Sequence, residues 1–266
     1  MIEHLFVRGA LPLFMMCLAA CAGSAPSAEP GGQPSGSLRM HTEEPPPSPA
    51  ARVVPELVAT PAPLQSVVTI SMPVDRQVMN LDCEAAALQM ALASLGHPYS
   101  QPALFAEENA DPRLPVMNPD GSVKYWGNPY VGFVGNVNGS DLAPTGYGVY
   151  YPVILAVARS HGAPDATGGE GLSPDGVYAA LKAGRPVMVW VETGWERVGY
   201  PLIGTWIAWD GRSIHYSLIE HTVTLSGVSE TQVRVNDPWH AGTQYWISKA
   251  VFETSWRDFN NMGVIF

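Results

Sequence analysis

A cysteine, a histidine and an aspartate are the residues of this chain whose types and settings suit covalent chemistry on a carbonyl. Cys83 stands in the run Asp82-Cys83-Glu84-Ala85-Ala86-Ala87-Leu88, at the first turn of a stretch of good helix formers that reaches Gly96. The positive end of a helix dipole favours the thiolate, the form that attacks carbonyls. Far downstream, His221 heads an alternating run over 220–227, and Asp237 lies near the end of a second over 231–239, with a short polar turn between them. Antiparallel pairing of two such strands returns the chain and brings His221 and Asp237 together. An acid beside an imidazole fixes the tautomer and holds the ring towards a thiol. His215 is the second candidate for the base and His240 the third. Taken alone, Cys83 also reads as one more small apolar core residue, and a lone strand histidine as a structural one.

These side chains need a frame, and the pattern supplies a mixed one. Asp82, or Asn80 before it, is placed to cap the cysteine helix. Leu88, Ala91, Leu92 and Leu95 form its apolar stripe, and Gly96 its stop. Residues 66–72 alternate as a first strand and 101–108 read as a short helix. Helices are expected over 149–161 and from Ser173-Pro174 to Gly184, with His97 and His161 at helix ends. Residues 185–191 form an unbroken apolar strand, and a tryptophan-rich hairpin region with Trp195, Trp206 and Trp209 follows. A helix over 249–256 and a strand over 262–266 close the chain, giving an α+β class. The long irregular stretch 109–148, dense in glycine, proline and aromatics, reads either as a wall of a binding cleft or as an ordered loop over the core.

Gln77, then Asp82-Cys83 and a helix, then His221 and Asp237-Pro238 in that order resemble the papain-like cysteine peptidases of family 39, whose best-known members clip double-glycine leaders. The likeness is closer to the stand-alone "C39-like" domains of that family, whose helix opens with Cys-Glu as Cys83-Glu84 does here, and it covers roughly residues 66–266. The resemblance implies a papain-like α+β fold, with the Cys83 helix packed on an antiparallel sheet that carries His221 and Asp237. It implies Cys83, His221 and Asp237 as catalytic residues, with Gln77 and the Cys83 amide donating to the oxyanion. The blocks 127–130, 133–135 and 145–149 look like segments of the same domains, so Asn128, Tyr130, Phe133 and Tyr147, with Trp239 after Asp237-Pro238, are expected to bind substrate. The implied reaction is hydrolysis of a peptide or protein substrate without cofactor or metal. Cys83-Glu84 in place of Cys-Gly leaves double-glycine specificity open. An acyltransferase of the same fold and a non-catalytic binding module are the rival readings.

Composition limits the partners. The 266 residues are 46% hydrophobic, ample for a packed core, and 14 Lys and Arg against 24 Asp and Glu leave a net charge of −10. That balance argues against nucleic acid or anionic lipid, which need a basic face; a monomer is expected. Residues 9–20 are an apolar run too short to span a bilayer but suited to a signal peptide, and they end in Leu18-Ala19-Ala20-Cys21, a lipobox pattern. The expected organisation is a signal peptide over 1–20, a proline-rich disordered tether over 21–65 and the domain over 66–266. Cys21 would then be acylated and hold the protein on the outer side of a membrane as an exported cell-envelope lipoprotein. A secretory signal cut at another small residue, or an uncleaved anchor, is the competing reading. Ten of the chain's 25 prolines fall in 22–65, and His41 there is expected to be solvated. With Cys17 removed and Cys21 lipidated, Cys83 would have no disulfide partner.

Overall fold

The computed structural model describes residues 66–239 and 241–266, so the expectations for 1–65, Cys21 among them, and for His240 lie outside the described residues. The elements run β1 (Val68–Thr69), α1 (Cys83–Ser94), α2 (Gln101–Phe105), β2 (Val116–Met117), β3 (Val123–Trp126), α3 (Tyr151–Ser160), β4 (Thr167–Gly169) and α4 (Pro174–Lys182). They continue as β5 (Val187–Glu192), β6 (Ile203–Ala208), β7 (Ser213–Ser217), β8 (Glu220–Val228), β9 (Gln232–Asp237), β10 (Thr243–Ser248), α5 (Lys249–Arg257) and β11 (Gly263–Ile265).

Seven strands form one antiparallel sheet in the order β10-β9-β8-β5-β11-β4, with β1 added to the far end of β8. Its centre explains the unbroken apolar run at 187–191. Val187, Val189 and Val191 point to one face, into a core with α4 and α5, while Met188 and Trp190 point to the other. A strand covered on both faces cannot alternate with polar residues. A second sheet, β2-β3-β6-β7, packs its aromatics into the same core as α1 and α3; within it β3 and β6 run parallel. Of the tryptophan-rich region, Trp206 and Trp209 lie in the β6–β7 hairpin of that sheet, while Trp195 ends a short turn after β5. The fold is thus mixed α+β with mostly antiparallel sheets.

Three local expectations are corrected. The helix α1 is buried almost all round, from Cys83 to Leu92, rather than along one stripe, and Leu95 is exposed past its end. Three successive alanines give the helix a slim body that fits between the large sheet and the neighbouring helices. Asp82 occupies the cap position but does not cap: its Oδ1 accepts the Met79 amide at 3.0 Å, while Asn80 donates to the Asn138 carbonyl at 2.9 Å. The 109–148 stretch, read as irregular though ordered, contains the short strands β2 and β3 and two isolated bridges, 111 to 134 and 135 to 146.

Candidate active site

Cys83 is the first residue of α1 and is only 6% exposed. The turn before it is fixed from several directions. The Leu81 amide donates to the Val137 carbonyl at 2.9 Å, and the Gln77 amide donates to the Pro238 carbonyl at 3.0 Å. The second bond ties the approach to the cysteine to the segment that follows Asp237. Across from α1, β8 and β9 pair with Thr224 opposite Asn236. Continuing that register sets Asp237 against Val223, two residues from His221 and on the same face, since side chains alternate along a strand.

His221 Nε2 lies 2.8 Å from Asp237 Oδ1, and both residues are buried. Burial opposes the Asp237 charge, but the His221 contact and the Tyr245 hydroxyl outweigh it and hold the carboxyl down at about 2. An ionised carboxylate only accepts, so Nε2 carries the proton and Nδ1 is left as the nitrogen for a thiol. Asp237 also accepts the Trp239 amide at 2.9 Å and the Tyr245 hydroxyl at 2.7 Å, and Tyr245 in turn accepts the Trp195 indole N–H at 3.0 Å. The acid is therefore saturated with donors. Sequence reading missed Tyr245; its position two residues into the strand after Asp237-Pro238 was the available signal.

Cys83 and His221 line one small cavity of about 50 Å³, together with Gln77, Asn80, Leu81, Asp141, Tyr147, Thr193, Glu220 and Trp239. Within it the thiol hydrogen-bonds Glu84 Oε2 at 3.3 Å, and no hydrogen bond joins it to His221. Burial raises the Cys83 thiol well above its ordinary range, and the carboxyls of Glu84 and Glu220 raise it further. The helix-dipole argument for a thiolate is outweighed here, because a partial charge in the first turn competes with full desolvation. Glu84 accepts the Val149 amide at 2.7 Å, yet its burial still lifts it to about 7; burial also pushes Glu220 and Glu108 well up. Neither oxygen of Glu108 has a partner, nor has Asp82 Oδ2. Gly148 makes room for the pair: a Cβ there would stand 2.4 Å from Glu84 Oε1 and 2.9 Å from Glu220 Oε2.

A donor atom from each of Cys83, Glu84 and Glu220 lies within 4.8 Å of the others. That set could take a divalent ion only after losing its protons.

Gln77 borders the cavity, but its Nε2 donates to the Met79 and Asn80 carbonyls at 3.2 and 2.8 Å, while its Oε1 is buried without a partner. Of the five expected substrate contacts, Tyr147 and Trp239 border the cavity, and Trp239 sets its ring edge-on to His221 at 6.2 Å. The other three do not. Asn128 bonds Asp210 at 2.6 Å in a separate groove, Tyr130 bonds Glu170 with Arg212 over its ring, and Phe133 is core, edge-on to Phe105. The bridges and short strands of the 109–148 stretch spread its aromatics over several surfaces. His215 sits on β7 and lines a different cavity, which leaves it away from the thiol. Outward from Cys83 the small cavity adjoins a groove of about 360 Å³ that shares Gln77, Asn80, Leu81, Asp141 and Trp239 and adds Arg76, Val78, Met79, Gly139 and Ser140.

A model of the Peptidase_C39 like family matches residues 69–264. The uncharacterized protein YvpB of Bacillus subtilis (strain 168) is 28% identical over 184 residues, which are 69% of this chain and 68% of that protein. A crystal structure from Bacillus anthracis, assigned as a C39-like peptidase, overlays with a TM-score of 0.63 at 27% identity, covering 75% of this chain and 96% of the other.

Proposed function

Because the chain belongs to the peptidase C39-like family, we propose that it is a cysteine peptidase of papain-like architecture, cleaving a peptide bond through Cys83, His221 and Asp237. The observation that carries the reading is the buried His221–Asp237 pair at 2.8 Å with its free ring nitrogen in the same cavity as the only cysteine among the described residues. For reaction the thiol leaves Glu84 and passes its proton to His221 Nδ1, and the sulfur attacks the scissile carbonyl. The Cys83 backbone amide meets the developing oxyanion. Gln77 joins it by exchanging one of its two carbonyl partners for the oxyanion. His221 then protonates the leaving amine, and water releases the acyl group from sulfur. No cofactor is needed at any step.

Cys21 and the proline-rich stretch support a second part of the reading: an exported protein held by lipid, with the domain spaced from the membrane. Labelling with a palmitate analogue that disappears in Cys21→Ala supports it, and equal labelling of both chains rejects it.

The catalytic test is cleavage of peptide mixtures by the full-length chain and by Cys83→Ala. Turnover should fall by several orders of magnitude in the variant while the fold is retained. Undiminished hydrolysis by Cys83→Ala ends the assignment. Product masses also separate transfer to water from transfer to an added amine.

A further inference from the structure

The loop that roofs the candidate cleft carries a carboxylate that the proposed mechanism does not use. Residues 136–146 are held by a dense set of bonds. The Asn136 amide donates to the Thr145 carbonyl at 2.9 Å, the Thr145 amide to the Ser140 carbonyl at 2.9 Å, and the Ser140 amide to the Thr145 hydroxyl at 2.9 Å. The Asn80 side chain and the Leu81 amide fasten the loop to the turn before Cys83. Gly139 and Gly146 keep it tight: a Cβ on Gly146 would stand 2.1 Å from the Asn136 carbonyl oxygen. A loop braced in this way holds what it carries in one place, and what it carries over the cleft is Asp141.

Asp141 lines both the thiol cavity and the adjoining groove. Its Oδ1 accepts the Leu142 amide at 2.7 Å, and among the described residues no hydrogen bond or ion pair engages its other oxygen. The other titratable groups of the cleft are His221, whose ring is already bonded to Asp237; Glu220, Cys83 and Tyr147, which burial pushes towards their neutral forms; and Arg76, in the groove but in no ion pair with Asp141. Burial raises the Asp141 carboxyl, which the Leu142 amide and any charge on His221 oppose, and among the described residues it has no ion-pair partner; a cationic side chain brought in by a peptide supplies one, and the chain's net charge of −10 draws cations towards it.

We infer that Asp141 is a specificity-determining residue that selects peptides carrying a cationic group, a lysine, arginine or free amine, within a residue or two of the bond cleaved. This rests on the peptidase reading and names its substrate class. A charge-assisted contact in a half-buried cleft discriminates about tenfold or more against a neutral side chain.

The test uses the full-length chain, a mixed peptide library and mass spectrometry of the products, with Cys83→Ala subtracting background cleavage. Lysine and arginine next to the cut should be enriched about tenfold. Asp141→Asn, which keeps an acceptor for the Leu142 amide, should bring the enrichment close to parity, and Asp141→Lys should turn the preference to aspartate and glutamate. Charge-blind cleavage by the wild type, or a basic preference that survives in Asp141→Asn, overturns the inference and leaves the peptidase reading standing. A library with no Cys83-dependent cut overturns that reading, and this one with it.

Discussion

On the sheet side of the cleft, Asp237 takes hydrogen bonds from His221, Trp239 and Tyr245, and its carboxyl stays ionised in spite of burial. On the donor-poor side, which runs from α1 to the head of β8, Glu84, Glu108 and Glu220 are just as buried but have few donors; burial lifts Glu84 to about 7 and pushes Glu108 and Glu220 well above the ordinary carboxylate range. The number of donors decides which way desolvation comes out. On the peptidase reading the base is therefore prepared in advance, whereas the nucleophile is stored as a neutral thiol bonded to Glu84. In the proposed mechanism, activation moves a proton from the thiol on the unprepared wall to His221 on the prepared one. A peptide that fills the cleft and brings its own dipoles is suited to trigger it.

Removing the acid from the saturated wall should have the largest effect. Asp237→Ala leaves a buried imidazole untethered and two donors without acceptors. We expect kcat/KM to drop on the order of 10²–10⁴-fold and stability by about 2–4 kcal/mol, read from peptide cleavage and urea melts. A variant that cleaves as well as the wild type would mean that His221 needs no orienting partner and that the contrast between the walls has no bearing on catalysis.

On the unsaturated wall the same kind of change should act in the opposite direction. Glu108 is buried with both oxygens unpartnered, so Glu108→Met should stabilise the fold at pH 8 by about 1–3 kcal/mol. The gain should shrink as the pH falls. A carboxyl raised in the fold keeps its proton where the unfolded chain has released it, so unfolding liberates protons and stability falls as the pH rises. For Glu84 that window runs from the ordinary 4.5 up to about 7. For Asp237 the sign reverses: its contribution is complete above about 4 and is lost as the pH falls through about 2. Thermal melts of the wild type from pH 8 to pH 2 should therefore pass through a maximum on the acid side of neutrality, and a curve rising steadily to pH 8 would contradict the protonated cluster.

A smaller effect should follow from Glu84→Gln, which retains a hydrogen-bonding side chain but removes the charge. The thiol, raised first by burial and then by Glu84, should ionise at lower pH, and its alkylation at pH 8 should speed up several-fold. An unchanged alkylation profile would show that burial alone governs the thiol.

The saturated wall was the more legible in the sequence. Two alternating strands with a short turn dictate antiparallel pairing, and pairing alone brings His221 to Asp237; the apolar run at 187–191 likewise announced a strand covered on both faces. The helix wall was legible only in outline. A glutamate after a cysteine in a first turn looks like a favourable charge for the helix dipole, and only the fold shows that Gly148 admits it next to Glu220 in a buried site. Tyr130 and Phe133 of 109–148 lie away from the thiol cavity for a related reason. Composition marked an ordered segment, but which surface each ring reaches depends on the bridges between 111 and 134 and between 135 and 146, and these join residues that no local pattern pairs.

The finest probe of the contrast is Tyr245→Phe, which deletes one of Asp237's donors and nothing else in the cleft. The Trp195 indole loses its acceptor at the same time, so a stability loss of about 1 kcal/mol is expected. The catalytic readout separates structure from electrostatics. If the acid is held ionised by the sum of its donors, losing one lets its carboxyl rise from about 2, and the acid limb of the kcat/KM profile moves up in pH with only a two- to fivefold drop at the optimum, about 1 kcal/mol or less. If Tyr245 merely packs, the rate falls equally at every pH and the limb stays in place. A moving limb in Tyr245→Phe, set beside a thiol that speeds up in Glu84→Gln, would show the two walls tuned by the same quantity, the supply of donors to buried carboxyls, with opposite results for the charge each must carry.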